Sequence, residues 1–188
     1  MAADSEVTFG ELDGKSVRIG IIRTRWNEEY VSALVKGVRS SLKECNVTEE
    51  NIFETSVPGS FELPYAAKLL AMSGTVDAII CAGVLIKGET MHFEYIADAV
   101  TKGILNVGIQ TNVPCVFGVL TCLNEQQVKA RSIDHNHGCD WGKTAVEMAL
   151  LRTEALGMGG KMSSMGFGTA TALKEPAKVE EKKRVGFF

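Results

Sequence analysis

Short runs rich in apolar and β-branched residues alternate four times with longer segments that are apolar on one side only, and nothing else in the chain constrains its fold so tightly. The runs are Ser16–Arg23, Ile52–Val57, Ala78–Leu85 and Cys115–Leu120. Strands that are solidly apolar need cover on both sides, so the pattern predicts a parallel sheet with helices on both faces. In the first helical segment Tyr30, Val31, Leu34, Val35, Val38 and Leu42 keep the i, i+3, i+4 rhythm of one buried face. Asn27 is expected to cap it, with Glu28 and Glu29 in its first turn. A second helix is expected from a Ser60 cap to Gly74, with Pro64 tolerated in its first turn. A third covers Met91–Gln110, and a short one runs from Asn124 to Arg131. A polar loop, Ser132–Asp140, then leads to a last helix over Trp141–Leu156. The expected division is an arm at 1–15, an α/β domain at 16–157 and a flexible tail at 158–188, where Gly, Ser and mixed charge replace apolar periodicity.

The bulk properties exclude several classes. A net charge of -3 and the lack of a concentrated basic face argue against a nucleic-acid partner. No apolar run approaches the roughly 20 residues that span a bilayer, so no membrane partner is expected. The N-terminus carries acidic residues where a secretory signal would be basic and then apolar. Five cysteines, odd in number and unclustered, read as buried thiols of a reducing, cytoplasmic compartment.

Chemistry collects where the predicted strands end. Gly83–Tyr95 reads GVLIKGETMHFEY, a strand end, a Gly-containing turn and a helix start. In an open α/β sheet, ligands lie beyond the carboxyl ends of strands. Free N–H groups around Gly88, Glu89 and Thr90, with the positive end of the helix dipole, would seat an anion such as a phosphate. His92 falls in the same turn, and imidazole is the side chain suited to moving protons near neutral pH. Anion seat and proton carrier together point to chemistry on a phosphorylated small molecule.

Each neighbouring candidate has two readings. Trp26 is either a core ring or an exposed platform for a flat heterocycle. Phe61 is either the start of a helix core or a ligand contact. Glu62 either complements a helix dipole or accepts hydrogen bonds from a polyol. Lys87 fits a solvated side chain, and His92 alone would fit a structural one. His135, His137, Cys139 and Asp140 have zinc-like donor types, but they are too tightly clustered and lack a second cluster, so no metal is expected. No Walker, dinucleotide or Gly-x-Ser-x-Gly motif is present.

Five blocks in one order resemble the 6,7-dimethyl-8-ribityllumazine synthase family, in its fungal branch. They are RWN (Arg25–Asn27), VPGSFELP (Val57–Pro64), GVLIKGETMHFEY, VPCVFGVLT (Val113–Thr121) and HNHGCDWG (His135–Gly142). The resemblance covers about Gly14 to Leu156. It implies a three-layer αβα sandwich, flavodoxin-like, with a four-stranded parallel sheet. It also implies condensation of 5-amino-6-(D-ribitylamino)uracil with 3,4-dihydroxy-2-butanone 4-phosphate, the penultimate step of riboflavin synthesis, without a metal or redox cofactor. By similarity Trp26 stacks on the pyrimidine, and Asn27, Ser60, Phe61 and Glu62 hold the ribityl chain. Val84, Leu85 and Ile86 line the ring pocket, Gly88, Glu89 and Thr90 hold the phosphate with Arg131, and His92 carries the proton. Phe117 and His137 match positions that close the site from a neighbouring subunit. Riboflavin or inorganic phosphate are further ligands such a pocket would admit. The GTKAGN stretch of shell-forming members is absent, which implies a homopentamer and not a closed capsid.

Two departures stand out: Arg131 and His137 are closer in sequence than the family usually has them, and the tail has no counterpart. Two other classes share the pocket. A flavin carrier would need neither His92 nor Arg131, and a pure assembly protein would show itself by particle size.

Overall fold

The structure, a computed structural model, describes residues 7–157. The tail expected at 158–188 and the first six residues of the expected arm lie outside them. The sheet is four-stranded and wholly parallel, in the order β2-β1-β3-β4. Its strands are β1 (Ile19–Thr24), β2 (Ile52–Val57), β3 (Ala78–Ile86) and β4 (Cys115–Cys122). The helices are α1 (Glu28–Glu44), α2 (Leu63–Met72), α3 (His92–Thr111), α4 (Glu125–Lys129) and α5 (Gly138–Ala155).

Both faces are covered, as the apolar strands require. One core joins Ile19, Ile21, Ile80 and Val84 to the inner faces of α1 and α5. The other joins Ile22, Ile79 and Cys81 to α2 and α3. The alternation is visible along β3, where Ile79 and Ile80 point to opposite cores. All six apolar positions expected to face inward from α1 are buried. The protein is thus a three-layer αβα sandwich of the flavodoxin-like kind. No helix among the described residues is long and apolar enough to cross a membrane.

Strand order matters most for function. The chain leaves β1 through α1 toward β2 on one face, then returns past β1 through α2 to β3 on the other. Right-handed crossovers require the change of face when the direction reverses. The connections leaving the carboxyl ends of β1 and β3 therefore part to opposite sides, opening a crevice between them.

Several local expectations are corrected. Asn27 precedes α1 with a left-handed φ of 60° and no side-chain cap bond. Ser60 does not cap α2 either; it lies buried in a 3-10 turn, Ser60–Glu62. The segment after β4 is more ordered than a polar loop. α4 runs into a π-helical turn, Ala130–Asp134, and α5 begins at Gly138. The arm is docked from Leu12 onward: Leu12 packs on the α1–α5 core, and Gly14 N–H donates to the Cys45 carbonyl at 2.6 Å. All five cysteines are free thiols. Burial holds Cys81 well above its ordinary value and pushes Cys115 up to about 12, so neither is a nucleophile at neutral pH.

The amino ends of the strands are tied by Asp77, which accepts from Arg18 Nη2 at 2.8 Å, Arg18 Nε at 3.1 Å and the Arg18 backbone at 2.9 Å. Burial opposes ionisation of this carboxyl, but the Arg18 hydrogen bonds outweigh it and hold its pKa below the usual aspartate value. A depressed carboxylate pKa stabilises the fold above the unfolded-state value, and the contribution disappears as pH falls through the folded one. Asp77→Asn is expected to cost about 2 kcal/mol at neutral pH. In denaturant melts that difference should shrink below pH 4. A gap that is constant down to pH 2 would contradict the assignment.

Candidate functional site

Three connections meet at the crevice. After β1, Arg25 and Trp26 donate their N–H groups to the carbonyls of Val57 and Pro58, at 3.0 and 3.3 Å, which lays this loop against the end of β2. Trp26 is 73% exposed, which overturns the core reading of the ring. The left-handed turn at Asn27 sends its side chain across the crevice, where Nδ2 donates to the Val84 carbonyl at 3.0 Å. That single bond joins the loop after β1 to the end of β3.

The second connection supplies Ser60, Phe61 and Glu62. Ser60 packs over Gly83: a Cβ added there would stand 2.9 Å from Ser60 Oγ and 3.2 Å from Thr24 Cγ2. The glycine therefore lets the β1, β2 and β3 ends close together. Phe61 is exposed. Glu62 Oε2 accepts from the Gly59 N–H at 2.8 Å, so its carboxylate orders the turn while its other oxygen makes no hydrogen bond among the described residues.

The third connection follows β3. The Val84 side chain belongs to the core and is 2% exposed, so only its backbone faces the crevice. Leu85 packs toward the α2–α3 core and Ile86 toward the α1–α5 core. Neighbouring strand residues point to opposite faces, so the three side chains cannot line one pocket together. From Gly88 to Met91 the backbone N–H groups find no acceptor among the described residues. Nothing lies within 4 Å of a Cβ placed on Gly88, and Glu89 and Thr90 are exposed. This loop precedes α3 directly, and His92, also exposed, is the helix's first residue. Its N–H donates to Thr90 Oγ1 at 3.4 Å.

Arg131, Phe117 and His137 belong to the β4 side. Phe117 stands opposite Cys81, inside the strand and not at its carboxyl end. It lines an apolar groove of about 570 Å³ with Leu105, Ile109, Met148 and Leu151 at the open edge of the sheet. Arg131 lies in the π-helical turn, exposed, with Nη1 donating to the Gln127 carbonyl at 3.2 Å. The short separation from His137 is closed by the backbone: His137 N–H donates to the Arg131 carbonyl at 3.0 Å. Burial, with the adjacent His135 and Arg131, pushes the His137 imidazole below its ordinary value, against the pull of Asp140, so the ring is neutral at pH 7. Its edge meets the His135 ring at 5.4 Å between centroids.

Two supports escaped the sequence reading. Tyr30, on α1, donates to the Glu125 carboxylate at the start of α4. That bond pushes the tyrosine hydroxyl up to about 12 and docks the segment leading to Arg131. Asn136 Nδ2 donates to the Ala33 carbonyl of α1 at 2.6 Å, and its Oδ1 accepts from Gly138. Neither contact has a local sequence signature, because each joins elements about a hundred residues apart.

At the switch point of a flavodoxin-like sheet, an exposed tryptophan, a loop whose N–H groups find no acceptor among the described residues and a helix-start histidine make a candidate small-molecule site of the α/β class. The sequence model of 6,7-dimethyl-8-ribityllumazine synthase matches residues 16–153. The enzyme of that name from Schizosaccharomyces pombe is 48% identical over 144 residues, covering 74% of this chain and 91% of the relative. That of Pyricularia oryzae is 42% identical over 182 residues, covering 76% and 91%. That of Clostridium kluyveri is 40% identical over 151 residues, covering 79% and 98%. The chain belongs to the 6,7-dimethyl-8-ribityllumazine synthase family and is a transferase.

Proposed function

We propose that this enzyme condenses 5-amino-6-(D-ribitylamino)uracil with 3,4-dihydroxy-2-butanone 4-phosphate to give 6,7-dimethyl-8-ribityllumazine, phosphate and water, the penultimate step of riboflavin biosynthesis. The observation that carries this reading is the run of unpartnered N–H groups at Gly88–Met91, ending at His92 and joined across the switch point to exposed Trp26. Residues 16–157 form the catalytic domain. Trp26 stacks on the pyrimidine; Asn27, Ser60, Phe61 and the free oxygen of Glu62 take the ribityl hydroxyls. The backbone from Val84 to Ile86 borders the ring.

Gly88, Glu89 and Thr90 receive the phosphate through their N–H groups, with Arg131 as its cation. The pyrimidine's primary amine attacks the ketone and an imine forms with loss of one water. The phosphate leaves by elimination as an anion into the seat that already held it, and the ribitylamino nitrogen closes the second ring on the carbonyl so produced, with loss of a second water. His92 moves the protons between nitrogen, carbon and departing oxygen. Holding two reactants in register supplies much of the rate, so no metal or redox cofactor is required.

Phe117 and His137 reach the site from an adjoining copy in a homopentamer. The apolar groove at the β4 edge supports such a contact. Because His137 is bonded to the Arg131 carbonyl, a copy that delivers one delivers both. Inorganic phosphate would occupy the anion seat and riboflavin the Trp26 platform. The free thiols accord with a cytoplasmic location.

Mixing the protein with both substrates should produce lumazine absorbance, and its absence would refute the reading. His92→Ala is expected to lower kcat about tenfold with KM values little changed. Equal turnover in variant and parent would remove His92 from the proton transfers.

A further inference from the structure

Lys87 and Glu94 flank the Gly88–Met91 loop, whose N–H groups find no acceptor among the described residues, and we infer that their ion pair is a positioning strap for the phosphate seat. The inference rests on the reading given under Proposed function and adds two residues to it. Lys87 N–H donates to the Cys122 carbonyl at 2.9 Å, which fixes the exit from β3. At the far end, Tyr95 N–H donates to the Met91 carbonyl at 3.3 Å, where α3 begins. Between these points the backbone is held, among the described residues, by one long bond, from His92 N–H to Thr90 Oγ1 at 3.4 Å. A loop so sparsely bonded does not keep its N–H groups convergent by itself.

The side chains supply what the backbone lacks. The Lys87 ammonium donates to Glu94 Oε1, linking the strand exit to the first turn of α3. The same ammonium lies 5.9 Å from the centroid of the Phe93 ring. Glu94 Oε2 is buried and has no hydrogen-bond partner among the described residues. That carboxylate therefore depends on Lys87 for its neutralisation, and it stands beside a place where a phosphate dianion must sit. The pair sets the loop's span and cancels a negative charge that would repel the substrate.

The test is steady-state kinetics with each substrate varied in turn, together with competition by inorganic phosphate, on K87M, K87E, E94Q and the exchanged pair K87E/E94K. K87M is expected to raise KM for the phosphorylated substrate, and Ki for inorganic phosphate, about tenfold, because it removes the strap and strands a carboxylate. KM for the pyrimidine and kcat should stay within about threefold. E94Q, which keeps shape and the lysine charge, should show about a threefold effect in the same direction. The exchanged pair should return to within about threefold of the parent. The strap is refuted by parental constants in K87M and E94Q, or by an equal rise in both Michaelis constants. It is also refuted by an exchanged pair no better than K87E alone, which would make Lys87 a direct phosphate ligand. If K87M does not fold, E94Q and the exchanged pair decide. A parent that turns over while the variants match it removes only the strap. A parent that makes no lumazine removes the functional reading, and inorganic phosphate binding still tests the strap.

Discussion

Arg131→Ala is expected to raise KM for the phosphorylated substrate about a hundredfold, with KM for the pyrimidine changed less than threefold. The guanidinium makes one internal hydrogen bond, to the Gln127 carbonyl, and no ion pair among the described residues. Its remaining donors are therefore available for a phosphate, and a planar fork meets phosphate oxygens two at a time. Arg131→Lys keeps the charge but loses the fork, so it should recover about tenfold of that loss. The local fold should survive, because His135 and His137 are held through the backbone carbonyls of Ala130 and Arg131 and not through the arginine side chain. Kinetics with the two substrates varied separately decide the matter. An unchanged KM for the phosphorylated substrate in Arg131→Ala would take this residue out of the site.

The second large effect is on stability. Gly138→Ala is expected to cost about 3 kcal/mol or more, the upper end of what overpacking does. A Cβ at Gly138 would stand 2.0 Å from the Leu34 carbonyl oxygen of α1, so one helix backbone would have to move away from the other. Ordinary helix propensity favours alanine by about 1 kcal/mol, which does not offset a backbone overlap of that depth. Gly142, one turn along, is equally confined: its Cβ would lie 2.1 Å from Ser41 Oγ and 2.9 Å from the Val38 carbonyl. Asn136 is bonded into the same seam through Ala33. The predicted readout is a lower denaturation midpoint at an unchanged m-value. A variant that melts with the parent would mean that the two helices part at little cost.

That seam also shows how a motif can be conspicuous for two reasons at once. The block HNHGCDWG carries a histidine proposed for the site, yet Asn136, Gly138 and Gly142 are there so that α5 can approach α1. A sequence reading sees small and polar residues in a row and expects a loop. The structure turns them into a helix start: Gly138 N–H donates to Asn136 Oδ1, and Asn136 is held in place by its bond to the Ala33 carbonyl of α1, about a hundred residues away. The same distance hid the Tyr30–Glu125 bond. The ion pair of Lys87 spans only seven residues, yet Lys87 alone fits a solvated side chain, because the pairing depends on how the turn between β3 and α3 folds back. Trp26 was the opposite case: its type and polar neighbours allowed a core ring or a platform equally, and only its 73% exposure decides.

By itself the sequence determined the layers. Apolar strands alternating with one-sided helices leave a parallel sheet covered on both faces as the way to bury them, and the blocks around Trp26, Phe61 and His92 mark the family, because periodicity and motif are local properties of the chain. The tertiary structure alone decided the strand order β2-β1-β3-β4, and with it the crevice between β1 and β3 where Asn27 meets Val84. It also decided which side chains of the Val84–Ile86 run face inward, and that Arg131 and His137 are joined. Those outcomes depend on contacts between residues far apart in the chain, and local propensity carries no record of which distant partner a hydrogen bond will find.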